Sequence, residues 1–310
     1  MGYTDVNILN VGAGSCAVIE SPSGRNSMID INDGGELREA ASMGPQDRLI
    51  REAAIKKMQD ELVDPVAWCK ANSITELFRF VLSHPDADHM SGLRRVLSGE
   101  LAALNFWDLP HHRQRSKRDE FKNDLEHEDW QWYQALRNGA LPNGPRLLNP
   151  LRGNANHYWL DDALEILSPT SNLVDDCDQA DSYNNASYVV RVNHGPSSVL
   201  LPGDVEVKAW NDMINAGLDL AADVLVASHH GRKSGFSEDA MDAIDPSVVL
   251  ISTDKLDPAH DAEDEYKKWT SHVYSTRTEG TIWVRMYDTG SFEIVSKNGK
   301  LAGFVRSSAA

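Results

Sequence analysis

The stretch "LFRFVLSHPDADHMSGL", residues 77–93, constrains the chain more than any other. Its first half is apolar, aromatic and β-branched, which reads as a short buried strand. The strand runs directly into His84, Asp86, Asp88 and His89, two histidines and two aspartates within six residues. Pro85 fixes its own φ and stiffens the loop, which limits the entropy lost when ligands gather round an ion. In an extended loop His84, Asp86 and Asp88 point the same way, and His89 opens the helix expected over "HMSGLRRVLSG". Four potential ligands leaving one strand end can serve two metals, a pair to each. A polar loop with an aspartate helix cap is the plain alternative, and the density of ligating groups weighs against it.

Two later stretches repeat the pattern. "SSVLLPGD" places Asp204 at the end of an apolar strand, after a glycine that permits a tight turn. "ADVLVASHHG" places His229 and His230 at the end of another, again before glycine. Each is weak alone, since "GD" is most often a turn and a histidine pair most often solvated. Three strand ends carrying His or Asp are what a site at one edge of a sheet requires. Strand series open the chain ("VNILNVGAG", "CAVIESPSG", "NSMIDINDGG") and return in its second half, alternating there with helices such as "VKAWNDMINAG" and "SEDAMDAIDP". "TIWVRMYDTGSFEIVS" reads as a terminal hairpin. The expectation is one α/β domain over residues 1–310, sheets inside and helices outside, with helical insertions at about 36–70 and 113–154.

The bulk numbers narrow the function classes. At 310 residues the chain can bury a sizeable core, and 41% hydrophobic with 25% charged residues is ordinary for a globular protein. No apolar run approaches the ~20 residues that span a bilayer, so no membrane association is expected. The start of the chain has neither a basic segment nor an apolar one, so no secretory signal is read there. Cys16, Cys69 and Cys177 form no CxxC spacing, which fits a reducing, cytoplasmic setting and argues against a thiolate metal site. A net charge of -17 argues against broad adhesion to nucleic acid or anionic lipid. A phosphate substrate stays open, because divalent ions reverse the local sign.

Taken in order, "SHPDADH", "NNASYVV", "LLPGD" and "SHHG" resemble the metallo-β-lactamase superfamily, whose HxHxDH signature stands here as His84-x-Asp86-x-Asp88-His89. The aspartate at Asp86 and the opening "VGAGSCAVIESPSGRNSMIDIN" are similar to the hydrolase domain of ComEC-type DNA-uptake proteins and their stand-alone relatives. The likeness runs over residues 6–292, apart from the two insertions. It implies a four-layer αββα sandwich with a two-metal site where the sheets meet. By the same resemblance His84 and Asp86 would bind the first ion, Asp88 and His89 the second, and Asp204 would bridge them. His229 or His230 would complete the second site. Where the superfamily usually supplies a further histidine to the first ion, this chain has Asn184 or Asn185. It also departs from that branch in having "GAGS" where "GQGD" is common, and "DPAH", ending at His260, for a later "HP" element.

The chemistry follows from the residue types. Three carboxylates against two divalent ions leave a slightly cationic site, suited to a phosphodiester anion, and such ions lower the pKa of water to roughly 7. The site is rich in oxygen, which favours Mn²⁺ beside Zn²⁺, with Mg²⁺ also accommodated. Asp88, the spare histidine of His229 and His230, and His260 are the candidates for proton handling. Arg232, Lys233, Asn184 and Asn185 are the candidate substrate contacts, although Arg232 and Lys233 read equally as an exposed basic pair. Asp30 could hold a ligand from behind or cap the "NDGG" turn. The run "HHRQRSKR", residues 111–118, could track a nucleic-acid backbone with Trp107, Trp130 and Trp132 as stacking partners. It reads more readily as a loop before an amphipathic helix whose aromatics face the core. The leading expectation is a metal-dependent phosphodiesterase acting on DNA. Hydrolysis of a small ester, lactone or phosphocholine-type group is a second reading. A weakly active subunit that meets protein partners through its insertions, for instance in an anti-phage defence system, is a third.

Overall fold

A computed structural model describes residues 2–33, 62–254 and 257–305. Most of the insertion expected at 36–70 lies outside the described residues. Its described end includes helix α1, Pro65–Ala71, capped by the Asp64 carboxylate accepting from the Val66 and Ala67 amides.

Sixteen strands are described, β1 Tyr3–Ile8, β2 Ala17–Glu20, β3 Asn26–Ile29, β4 Ile31–Asn32, β5 Glu76–Val81, β6 Ala102–Trp107, β7 Arg146–Leu148, β8 Leu164–Ser168, β9 Val189–His194, β10 Ser197–Leu201, β11 Val224–Val226, β12 Val248–Ile251, β13 Val273–Ser275, β14 Ile282–Tyr287, β15 Ser291–Ser296 and β16 Gly299–Val305. Nine form one sheet in the order β16-β15-β14-β1-β2-β3-β5-β6-β7, and six form a second in the order β13-β12-β11-β10-β9-β8. Each sheet has an antiparallel part and a parallel part. Strands β3, β5, β6 and β7 run parallel in the first. Strands β10, β11, β12 and β13 run parallel in the second.

Burial follows this division. The parallel strands β10 and β12 are buried at every position, as strands covered on both faces must be. The β14–β15 hairpin instead alternates buried and half-buried residues, and β16 extends it to three strands. Three apolar clusters separate four layers. Val6, Ile8, Ile19, Val81 and Trp107 of the first sheet meet Ile166, Val190, Val199, Val224 and Leu250 of the second. Helix α1, the short helix Leu93–Leu97 and helix α2, Asp124–Arg137, cover the outer face of the first sheet through Val66, Val96, Trp130, Tyr133 and Leu136. Helix α4, Val207–Asn215, and helix α5, Glu238–Ile244, cover the second through Trp210, Met213, Met241 and Ile244. Helix α3, Ser171–Ala180, packs at the margin between these clusters. The architecture is the αββα sandwich.

Helix α2 lies within the second expected insertion and shows how local signals place it. Asn123 accepts the Glu126 amide, acidic residues occupy the first turn and Arg137 the last. Its solvent face is charged, and the spacing of Trp130, Tyr133 and Leu136 turns the other face inward. Trp107 and Trp130 are buried, so neither offers a stacking surface, and the reading of these aromatics as core is the one the fold adopts.

Candidate metal centre

The candidate ligands sit where parallel strands of both sheets end. β5 leads into His84, Asp86, Asp88 and His89, whereas β10 leads to Asp204 and β11 to His229 and His230. The site therefore lies between two sheets, not along the edge of one. Ligands gather beyond the carboxyl ends of parallel strands because the connecting loops are free to converge there. Gly203 lets β10 approach β5: its φ is +58°, and a Cβ would stand 2.9 Å from that of Ser187 and 3.1 Å from that of Ser83. Gly14, in the "GAGS" loop, allows that loop to cross the Asp88 backbone, where a Cβ would lie 2.6 Å from the Asp88 carbonyl oxygen.

The ligand atoms of Asp88, His89, Asp204 and His230 all lie within 4.8 Å of one another. His89 Nε2 is 3.2 Å from His230 Nε2 and 3.2 Å from Asp204 Oδ2. His230 Nε2 is 3.5 Å from both Asp88 Oδ2 and Asp204 Oδ2. The outer nitrogens fix the tautomers. His89 Nδ1 lies 2.7 Å from Asp30 Oδ2, and His230 Nδ1 lies 3.2 Å from the Ser252 carbonyl oxygen. Carbonyls and carboxylates only accept, so each Nδ1 carries a proton, and each Nε2 has a lone pair to offer a cation that displaces its own proton. Two imidazole nitrogens and two carboxylates thus converge on one point and share a demand for positive charge, met by protons on the histidines or by a bound cation. Spacings of 3.2–3.5 Å are what ligand bonds of roughly 2.1 Å give at near-tetrahedral angles.

Electrostatics agree. Burial pushes the Asp204 carboxyl up, but His230 and His89 outweigh it and hold it well below the usual carboxylate range. Asp88 behaves likewise through His230 and His89. Burial lowers His89, yet Asp204 and Asp30 raise it well above an ordinary histidine. The residues compete for positive charge. Asp30 itself is buried at φ +59°, and its carboxylate also accepts the Ser83 amide and hydroxyl at 2.7 Å each.

His84 and Asp86 stand beside this cluster. His84 is fully buried, with Nδ1 near the hydroxyls of Ser83 (3.1 Å) and Ser187 (3.2 Å). Its Nε2 is buried with no hydrogen-bond partner and faces Asp86 Oδ2 at 3.6 Å. An orphaned imidazole nitrogen beside a carboxylate fits a second cation position. The other Asp86 oxygen pairs with Arg113. Burial pushes Asp86 up, but His84 and then Arg113 outweigh it and hold its carboxyl low.

The remaining sequence candidates are placed as follows. His229 Nε2 is 3.7 Å from Asp204 Oδ2, while its Nδ1 meets Ser234 Oγ at 2.8 Å and Glu206 Oε1 at 3.4 Å. His229 and His230 both adopt left-handed backbone, and both side chains reach the same Asp204 oxygen, at 3.7 and 3.5 Å. Arg232 and Lys233 are exposed, as is His260. The Lys233 amide donates to the His260 carbonyl at 2.8 Å, so "DPAH" does lie against the histidine turn. The Asn185 side chain accepts the Glu206 and Ala209 amides at 3.1 Å each, and so caps helix α4 directly after Asp204. Asn184 is its half-buried neighbour. Sequence reasoning missed Ser83, Ser187 and Arg113. A serine before the histidine motif and one cation in a basic run carry no local signal of these roles.

The chain matches no protein-family model. It is 24% identical over 295 residues to ComE operon protein 3 of Bacillus subtilis, covering 94% of this chain and 34% of that protein. It is 32% identical over 134 residues to Recombination protein 2 of Haemophilus influenzae, covering 42% and 16% respectively. Competence protein ComA of Neisseria gonorrhoeae is 28% identical over 193 residues, covering 59% and 21%. The chain thus spans about a third or less of the length of these relatives. A solved diphosphatase of the PhnP family aligns with 87% of this chain and 94% of its own at 9% identity, with a TM-score of 0.41. Among the described residues, no helix is long and apolar enough to cross a membrane.

Proposed function

We propose that this chain is a metal-dependent hydrolase of phosphodiesters, with DNA as its substrate. The observation that carries the reading is the convergence of His89 Nε2, His230 Nε2, Asp204 and Asp88, whose ligand atoms lie within 4.8 Å of one another. Divalent ions in such a place supply a nucleophilic hydroxide at neutral pH and neutralise charge on a phosphoryl group.

The chain's own residues then divide the work. Asp88, His89 and His230 hold one position, with Asp30 and the Ser252 carbonyl fixing the two imidazoles. His84 and Asp86 would hold the other, and Asp204, which borders His89 and His230 and feels the charge of His84, would be shared between them. Asp88 and Asp86 are the half-exposed members, so they form the open side through which a diester enters. His229, hydrogen-bonded at Nδ1 and bordering Asp204, would pass a proton to the leaving oxygen, with His260 on the adjoining loop as the alternative. Arg232 and Lys233, exposed beside the same turn, are the cations a trailing phosphate meets. DNA is favoured over smaller diesters by the resemblance of the motifs to the hydrolase domain of DNA-uptake proteins.

The test is cleavage of labelled single- and double-stranded DNA with Mn²⁺ by the wild type and by His84→Ala and Asp88→Ala. Metal-dependent cleavage that both variants lose supports the reading. Turnover of a carboxylic ester or lactone with no diester cleaved would replace it.

A further inference from the structure

We propose that Arg113 is the positioning residue of the His84–Asp86 metal position: it fixes Asp86 as a one-oxygen ligand, with Oδ1 held by the guanidinium and Oδ2 turned toward His84. The inference rests on the two-ion reading above. It assigns a role to a residue and to an insertion that the ligand set leaves unexplained.

Arg113 Nη1 donates to Asp86 Oδ1 and also to the Pro85 carbonyl oxygen at 2.9 Å, so one guanidinium nitrogen braces the "HPD" turn at two points. Exposed ion pairs are worth little, but this one is sheltered: the Arg113 side chain is 16% exposed and that of Asp86 32%. With Oδ1 engaged, Asp86 Oδ2 is the atom left for the space beside His84 Nε2, 3.6 Å away.

The loop that carries Arg113 is clamped on both sides. The ring of Tyr183 lies under the guanidinium, 5.0 Å away, and its hydroxyl donates to Asp178 at 2.7 Å. Asp178, on α3, also meets the His112 amide and Nδ1 at 2.8 Å each. On the other side His111 is buried, its Nε2 2.7 Å from the Tyr133 hydroxyl and its carbonyl held by Arg137, both on α2. The Arg113 amide in turn donates to His111 Nδ1 at 3.0 Å. Two other cations of the run are engaged locally, Arg115 near Glu126 and Arg118 on Asp124. Within the described run Arg113 is the cation that pairs with the ligand loop, and helices α2 and α3 together set its place.

A carboxylate free to turn can chelate through both oxygens or swing into solvent. An outer partner that removes this freedom raises metal affinity by roughly 10–100-fold. Arginine suits the task because its planar fork can reach a carbonyl and a carboxylate together, which a lysine ammonium does less well. Its positive charge opposes a nearby ion; the proposal commits to orientation outweighing that repulsion. Asp30 does the equivalent work for His89 across the site.

The experiment measures ion binding without substrate. Metal-stripped full-length wild type, Arg113→Lys, Arg113→Ala, Asp86→Ala and the Arg113→Ala/Asp86→Ala double variant are titrated with Mn²⁺ by calorimetry, with stoichiometry checked by elemental analysis. The wild type is expected to bind two ions. Arg113→Ala should weaken one of them by about 10–100-fold and leave the other unchanged, with Arg113→Lys intermediate. Asp86→Ala should weaken the same ion, and adding Arg113→Ala to it should change nothing more. A single ion in the wild type would overturn the proposal. So would tighter binding in Arg113→Ala, equal weakening of both ions, or additive losses in the double variant. Circular dichroism of each variant excludes unfolding as the cause, and the lysine variant keeps the test intact should the alanine variant not fold. Diester cleavage plays no part in the readout, so failure of the proposed substrate and failure of Arg113's role are separate results.

Discussion

The Nε2 atoms of His89 and His230 lie 3.2 Å apart, while the opposite nitrogen of each ring is committed to Asp30 and to the Ser252 carbonyl. Two buried imidazole nitrogens come this close only with positive charge between them, a proton or a bound cation. The strand ends, the glycines that bring them together and the carboxylates around them are explained by that requirement.

Asp30 is the most exposed to test, although it is buried. Asp30→Asn keeps the shape but replaces one acceptor oxygen with a donor facing the Ser83 and His89 hydrogens. Metal affinity should fall by roughly 10-fold or more, measured by equilibrium dialysis. Unchanged affinity would mean that the Asp30–His89 bond does not orient the ligand.

Gly203 carries the approach of the two sheets. Gly203→Ala must place a Cβ within 3.1 Å of Ser83 and Ser187 at a φ of +58°. A loss of about 1–3 kcal/mol in urea unfolding is expected, with weaker metal binding. A fully stable variant that keeps its metal would show that the turn can relax.

Under the proposed reading, Asp86 is the position that tunes the choice of metal. Asp86→His turns the motif into HxHxDH and removes the partner of Arg113. The ratio of Mn²⁺-supported to Zn²⁺-supported activity, at least one in the wild type, should drop in the variant. A ratio that stays constant would detach metal preference from this position.

The clamp behind Arg113 predicts a pH dependence of stability. Burial, then the Arg137 charge, pushes His111 down to about 3, against an unfolded value near 6.5. Below about 6.5 the unfolded chain takes a proton that folded His111 refuses, so this contribution to stability is lost as pH falls toward 3. The advantage of the wild type over His111→Gln in melting temperature should therefore shrink between pH 7 and pH 4.5. A gap that widens on acidification would reverse the assignment.

What could be read from sequence was local. The His84–His89 spacing, the glycines before Asp204 and after His230, and the apolar runs leading into each are contained in stretches of ten or so residues, and strand ends in an α/β chain converge by topology. The partners of those ligands are not local. Arg113 lies 27 residues from Asp86 and Asp30 lies 59 from His89, and neither distance leaves a periodic trace. The basic run looked like an open surface because its carboxylate partners, on α2 and in the ligand loop, are supplied by folding. Asn185 was legible only as the residue standing near a missing histidine; that it caps α4 depends on where Glu206 and Ala209 arrive.

The most direct test of the central claim follows hydrolysis of a labelled DNA diester while metal-stripped protein is titrated with Mn²⁺, in the wild type and in Asp204→Asn. The account predicts no cleavage without metal, a rate that rises to its plateau as ions fill the site, and no comparable rise in the variant. Cleavage by the metal-stripped protein, or an equal rise in Asp204→Asn, would contradict it.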